Sequence, residues 1–136
     1  MSRFRFALYP LVLAVAVGCS GLSPDAPTVP DEVPTTFVNF TGTLGVNGAF
    51  SHPFTVSQPG TMAAALADVT PDGVIVGLSL GTWNGSTCIA VFSSDLAAEG
   101  LRIIGAASAA GNFCVRIHDT GHVVVPTKYT IQLEHP

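Results

Sequence analysis

The chain predicts an all-β domain over residues 37–136, a sandwich or barrel of short antiparallel strands. Turn-forming Gly and Pro pairs recur at short intervals, leaving runs of six to ten residues between them. Within several runs apolar residues alternate with small or polar ones, the period of a strand with one face on a core. Apolar residues make up 48% of the sequence and charged ones 10%, a balance that excludes a disordered chain and allows a real core.

The elements follow in order. A first strand at 37–44 and a second at 49–56 are divided by Asn47-Gly48. Pro59-Gly60 opens a third at 61–69, and Pro71-Asp72-Gly73 divides it from a fourth at 74–82. There Val74, Val76, Leu78 and Leu80 share one face, with Gly77, Ser79 and Gly81 on the other. Asn84-Gly85 precedes a fifth strand at 88–93, and Glu99-Gly100 a sixth at 101–106. In the seventh, 112–118, Phe113, Val115 and Ile117 alternate with Cys114, Arg116 and His118. Asp119-Thr120-Gly121 turns the chain towards an eighth strand at 127–134. There Tyr129, Ile131 and Leu133 lie opposite Lys128, Thr130, Gln132 and Glu134, and Tyr129 is read as core. Two stretches have a competing preference. Met62 to Ala67 favours helix, though the run is short for one, and Leu96 to Gly100 reads equally as one helical turn closed by glycine.

The residues before the domain read as a targeting segment and a tether. Arg3 and Arg5 precede an apolar run from Phe6 to Val17. Twelve helical residues rise only ~18 Å, short of a ~30 Å hydrocarbon core, so the run reads as a signal peptide over residues 1–18. Ala16-Val17-Gly18-Cys19 resembles the lipobox of bacterial lipoproteins, which implies acylation of Cys19 as the mature N-terminus. An ordinary signal peptide with an incidental Cys19 is the alternative. Ser20 resembles the signal that sorts such proteins to the outer membrane. Two acyl chains would anchor the protein in a lipid bilayer without a span. Residues 19–36 carry Pro24, Pro27, Pro30 and Pro34 among Asp25, Asp31 and Glu32, a solvated spacer that could reach ~50 Å as polyproline II. Loss of Arg3 and Arg5 would leave Arg102, Arg116 and Lys128 against nine acidic residues. That balance argues against nucleic acid as a partner and against adhesion to anionic headgroups.

Three cysteines in an exported chain leave one unpaired. With Cys19 acylated, Cys88 and Cys114 remain as a candidate disulfide, which over about 25 residues would contribute ~3 kcal/mol. Two free buried thiols are the other reading.

Phe40-Thr41-Gly42, then Phe54-Thr55-Val56 with Pro59-Gly60, then Gly111-Asn112-Phe113-Cys114-Val115 and Tyr129-Thr130-Ile131 together resemble the bacterial pre-peptidase C-terminal domain. The resemblance covers nearly all of 37–136. It implies a jelly-roll β-sandwich, of a kind usually appended to secreted peptidases, some of whose members bind collagen, polysaccharide or calcium.

Several apparent motifs bear on chemistry. Gly77-Leu78-Ser79-Leu80-Gly81 matches the nucleophile elbow in letters, but a straight strand gives Ser79 neither the sharp turn nor the helix that exposes such a serine. Ser79 is therefore expected as an outward strand residue. Asp119-Thr120-Gly121 matches the aspartic-protease triplet, yet a lone copy so near the C-terminus reads as a turn. His118 and His122, with Asp119, fall short of a zinc ligand set, and His52 and His135 are expected to face solvent. Trp83, the only tryptophan, stands at a strand end where an exposed ring could stack on a sugar or cover the core rim. These readings converge on a lipid-anchored, non-catalytic protein of the bacterial cell envelope without cofactor or metal. It would be a binding or accessory module for polysaccharide or an envelope protein, with a purely structural role as the alternative.

Overall fold

The computed structural model describes residues 32–136; the segment read as a signal peptide, Cys19 and most of the stretch read as a tether lie outside the described residues. Eight strands follow one another: β1 Thr36–Leu44, β2 Ala49–Val56, β3 Gly60–Thr70, β4 Val76–Trp83, β5 Cys88–Ala97, β6 Arg102–Ala107, β7 Gly111–His118 and β8 Thr127–His135. They form two antiparallel four-stranded sheets, ordered β1-β8-β3-β6 and β2-β7-β4-β5. The sheets pack face to face as a sandwich and do not close into a barrel.

The pairing has a simple logic. β1 pairs with β8, β2 with β7, β3 with β6 and β4 with β5. The chain thus resembles one long hairpin, its tip at the β4–β5 turn, rolled over a core; β8 then meets β3 and β7 meets β4. This is a jelly roll. Because the strands alternate in direction, the β2–β3, β4–β5 and β6–β7 connections share the end at which the chain enters β1 and leaves β8.

Alternation decides what is buried. Leu66 of β3, Ile131 and Leu133 of β8, Leu78 and Leu80 of β4, and Val115 and Ile117 of β7 are wholly or almost wholly buried between the sheets. Tyr129 is buried with them. The Met62–Ala67 stretch is strand throughout, because β3 is bonded on both sides, to β6 and to β8. Ladder bonds and burial of Met62, Ala64 and Leu66 outweigh the few tenths of a kcal/mol per residue that alanine gains in a helix. On the outer face, Ala63 and Ala65 leave room for Arg102 of β6 to reach Glu134 of β8 at 2.6 Å. Leu96 and Ala97 extend β5, and the following residues form a turn in which Leu101 N–H donates to Ala98 C=O at 3.0 Å rather than a helix.

Candidate functional site

The tip of the rolled hairpin gathers the residues of most chemical interest. Cys88 opens β5 and Cys114 lies in β7, with their Cα atoms 5.7 Å apart and the disulfide formed. Both strands flank β4, so the bridge crosses beside Gly81, where β5 folds closely over its neighbour. A β-carbon at Gly81 would stand 1.9 Å from the Ile89 carbonyl oxygen. Glycine is required there by close approach of backbone.

Trp83 ends β4 and is half-buried. Its indole borders an open cleft of about 580 Å³ lined also by Pro53, Phe54, Thr55, Asn84, Gly85 and Asn112. Thr55 Oγ1 donates to Asn112 Oδ1 at 3.0 Å, which leaves the Asn112 amide N–H groups as available donors. Asn84 Oδ1 accepts from Ser86 N at 3.0 Å and Thr87 N at 2.7 Å, which fixes the turn beside the indole. The cleft offers aromatic surface from Trp83 and Phe54 with neutral polar groups around it.

The remaining motifs resolve differently. Ser79 lies mid-strand as expected, but it does not face outward into solvent: it is 2% exposed. The outer face of β4 is roofed. Ser79 sits between Arg116 of β7 and Ser93 of β5, and the His118 ring lies against Gly77, where a β-carbon would come within 2.0 Å. The Gly-x-Ser-x-Gly pattern records a strand that must be small on its outer face.

Asp119 holds a turn. Its Oδ1 accepts from the N–H groups of Gly121, His122 and Val123 at 2.8, 3.0 and 3.0 Å, and its Oδ2 from Asn47 N at 2.8 Å. These backbone donors, Asn47 first, hold the carboxyl below its ordinary pKa, against a smaller opposing effect of desolvation. Gly121 takes the left-handed conformation at φ 94° that the turn requires. His118 Nε2 lies 3.4 Å from Asp95 while its Nδ1 is buried without a partner, and His122 Nδ1 is hydrogen-bonded to Thr120 Oγ1 at 3.1 Å. Among the described residues no group of three or more His, Cys, Asp and Glu side chains is placed to hold a metal ion.

Two histidines expected in solvent are withdrawn from it, His52 half-buried and His135 buried. His52 stacks on Phe40 with ring centres 4.7 Å apart, and its Nε2 is hydrogen-bonded to the Tyr129 hydroxyl at 2.8 Å. Burial lowers the pKa of His52 and raises that of Tyr129. His135 is 7% exposed, packs near Phe54, and its Nδ1 lies 2.8 Å from the Pro136 carbonyl oxygen. The signal was in the parity: His52 shares a face with Phe54 and Val56, and His135 continues the Tyr129, Ile131, Leu133 face.

Compared with known proteins, the chain matches no family model and no curated sequence.

Proposed function

We propose that this protein is a lipid-anchored, non-catalytic binding module of the bacterial cell envelope, and that the Trp83 cleft receives carbohydrate. The observation that carries the reading is the indole beside Thr55, Asn84 and Asn112 in one open cleft. Sugars present apolar C–H faces and hydroxyl edges, which suit an aromatic plane ringed by neutral hydrogen-bonding groups. The lipobox-like Ala16-Val17-Gly18-Cys19 and the proline-rich tether support anchoring through acylated Cys19, and Ser20 supports the outer membrane. The jelly roll agrees with the resemblance to the pre-peptidase C-terminal domain, some of whose members bind polysaccharide. Burial of Ser79 and full engagement of the Asp119 oxygens support a role without hydrolysis.

The single tryptophan makes the test direct, because emission excited at the red edge of the indole band, beyond tyrosine absorption, comes from Trp83. The full chain in detergent micelles, titrated with cell-wall fragments and neutral oligosaccharides, should show a saturable emission change with at least one of them. Asn112→Ala should weaken binding, and Trp83→Ala, followed by calorimetry, should weaken it about 30-fold, the ~2 kcal/mol of an aromatic hot spot. Glycan affinity unchanged in Trp83→Ala, or no response to any glycan, would leave the structural role as the better reading.

A further inference from the structure

The sequence holds two Asn-Gly pairs, Asn47-Gly48 and Asn84-Gly85. In such a pair the glycine nitrogen, unhindered by a side chain, can attack the preceding side-chain amide carbon. The fold treats the two pairs in opposite ways. At the first, Gly48 N–H donates to Gly45 C=O at 2.9 Å, so the attacking nitrogen is tied into the turn. Asn47 is itself pinned, its N–H donating to Asp119 Oδ2 at 2.8 Å, and that carboxylate opposes the negative charge the attack would develop.

At the second pair the ties fall on the other reactant. Asn84 Oδ1 accepts from Thr87 N at 2.7 Å, Ser86 N at 3.0 Å and Ser86 Oγ at 3.2 Å. These donors converge on the oxygen that becomes negative when a nucleophile adds to Cγ, the arrangement that stabilises a tetrahedral intermediate. Asn84 N–H donates to Thr87 C=O at 3.3 Å, whereas no acceptor among the described residues takes the Gly85 N–H. One residue thus combines a polarised amide with an unengaged neighbouring nitrogen on an exposed turn.

We propose that Asn84 is a site of spontaneous deamidation in the folded protein and that Asn47 is protected. Solvent hydroxide takes the Gly85 amide proton, and the nitrogen pair forms a bond to Asn84 Cγ while the carbonyl π pair moves to Oδ1. Return of that pair expels Nδ2, which leaves as ammonia with a proton from water. The resulting five-membered imide takes up one water. Opening at Cγ gives aspartate; opening at the main-chain carbonyl gives isoaspartate. The net change is one amide and one water converted to one carboxylate and one ammonium ion, with no oxidation.

Either product places a negative charge in the cleft beside Trp83. Isoaspartate also lengthens the β4–β5 turn by one main-chain carbon, close to Cys88. The chemistry is independent of what the cleft binds, so a failed glycan titration leaves it standing.

The test compares the intact, disulfide-bonded protein with the same chain reduced and unfolded in guanidinium, both held in warm, mildly alkaline buffer. Peptide mapping follows the gain of about one mass unit at each asparagine, and isoaspartyl methyltransferase labels the rearranged product. In the unfolded chain both pairs should convert at similar rates. In the native protein Asn84 should convert at least about tenfold faster than Asn47, a barrier difference of ~1.4 kcal/mol. Native Asn84 converting no faster than Asn47, or persisting while the unfolded chain converts, would overturn the proposal.

Discussion

Gly77 and Gly81 occupy the same face of β4, yet alanine at the two positions meets different obstacles. At Gly81 the obstacle is the Ile89 main chain, which cannot turn away. Gly81→Ala should therefore cost ~3 kcal/mol, the upper range for overpacking, measured by guanidinium unfolding. At Gly77 the obstacle is the His118 ring, a side chain with an alternative rotamer, and about 1 kcal/mol is expected. His118→Ala should recover most of that loss in the double variant and none of the Gly81→Ala loss. His52 supplies a pH prediction. Its folded pKa lies below the ordinary 6.5 because burial disfavours the imidazolium, and no carboxylate pairs with it among the described residues. The stabilisation is thus present above the unfolded pKa and is lost as pH falls from there towards the folded value. Denaturant midpoints between about pH 7 and pH 5 should fall more steeply in the native sequence than in His52→Phe. A slope unchanged by the substitution would assign the acid sensitivity elsewhere, to groups such as Asp119, whose lowered pKa acts further down the scale.

Among the elements, β5 carries the most unusual pattern. It is an edge strand with Ile89, Val91, Phe92 and Leu96 exposed, Leu96 at 72%. Two register shifts against β4, between Val76 and Leu78 and between Leu80 and Gly81, interrupt its ladder. Irregularities of this kind twist an edge away from the flat template that invites another strand, which offsets its apolar composition. The disulfide fastens the start of this strand to β7. Its sequence separation of 26 gives a loop-closure contribution of ~3 kcal/mol. Reduction, or Cys88→Ser with Cys114→Ser, should lower unfolding free energy by about that amount without changing the far-ultraviolet β-sheet signature. Trp83 is paired with Cys88 across the β4–β5 ladder, so loosening of β5 should also alter the Trp83 emission.

At the scale of the whole molecule, the rolled hairpin brings residues far apart in sequence to one end. Thr55, Trp83 and Asn112 meet in one cleft, at the end where the chain enters β1. Cys19→Ala should move the protein from the membrane fraction to the soluble fraction or stall it as an unprocessed precursor, followed by fractionation and intact-mass analysis. A mature native protein carrying a free Cys19 thiol would refute the anchor.

Periodicity and turn chemistry acted locally, so all eight strands were legible from the sequence, with ends shifted by only a few residues. The Cys88–Cys114 bridge was legible as well, because setting Cys19 aside as an acylation candidate leaves one possible pair. Alternation marked the faces turned to the core, and tertiary structure alone decided which outer faces were also covered. Ser79 was expected outward because its neighbours at that parity are small; those same small residues let His118 and the β5 main chain close over them. Residue type alone places His52 and His135 in solvent, whereas parity with Phe54 and Val56 half-buries the first and parity with Leu133 buries the second. A strand's own sequence states which residues share a face. What lies against that face depends on long-range pairing, and only the rolled arrangement of the two sheets supplies it.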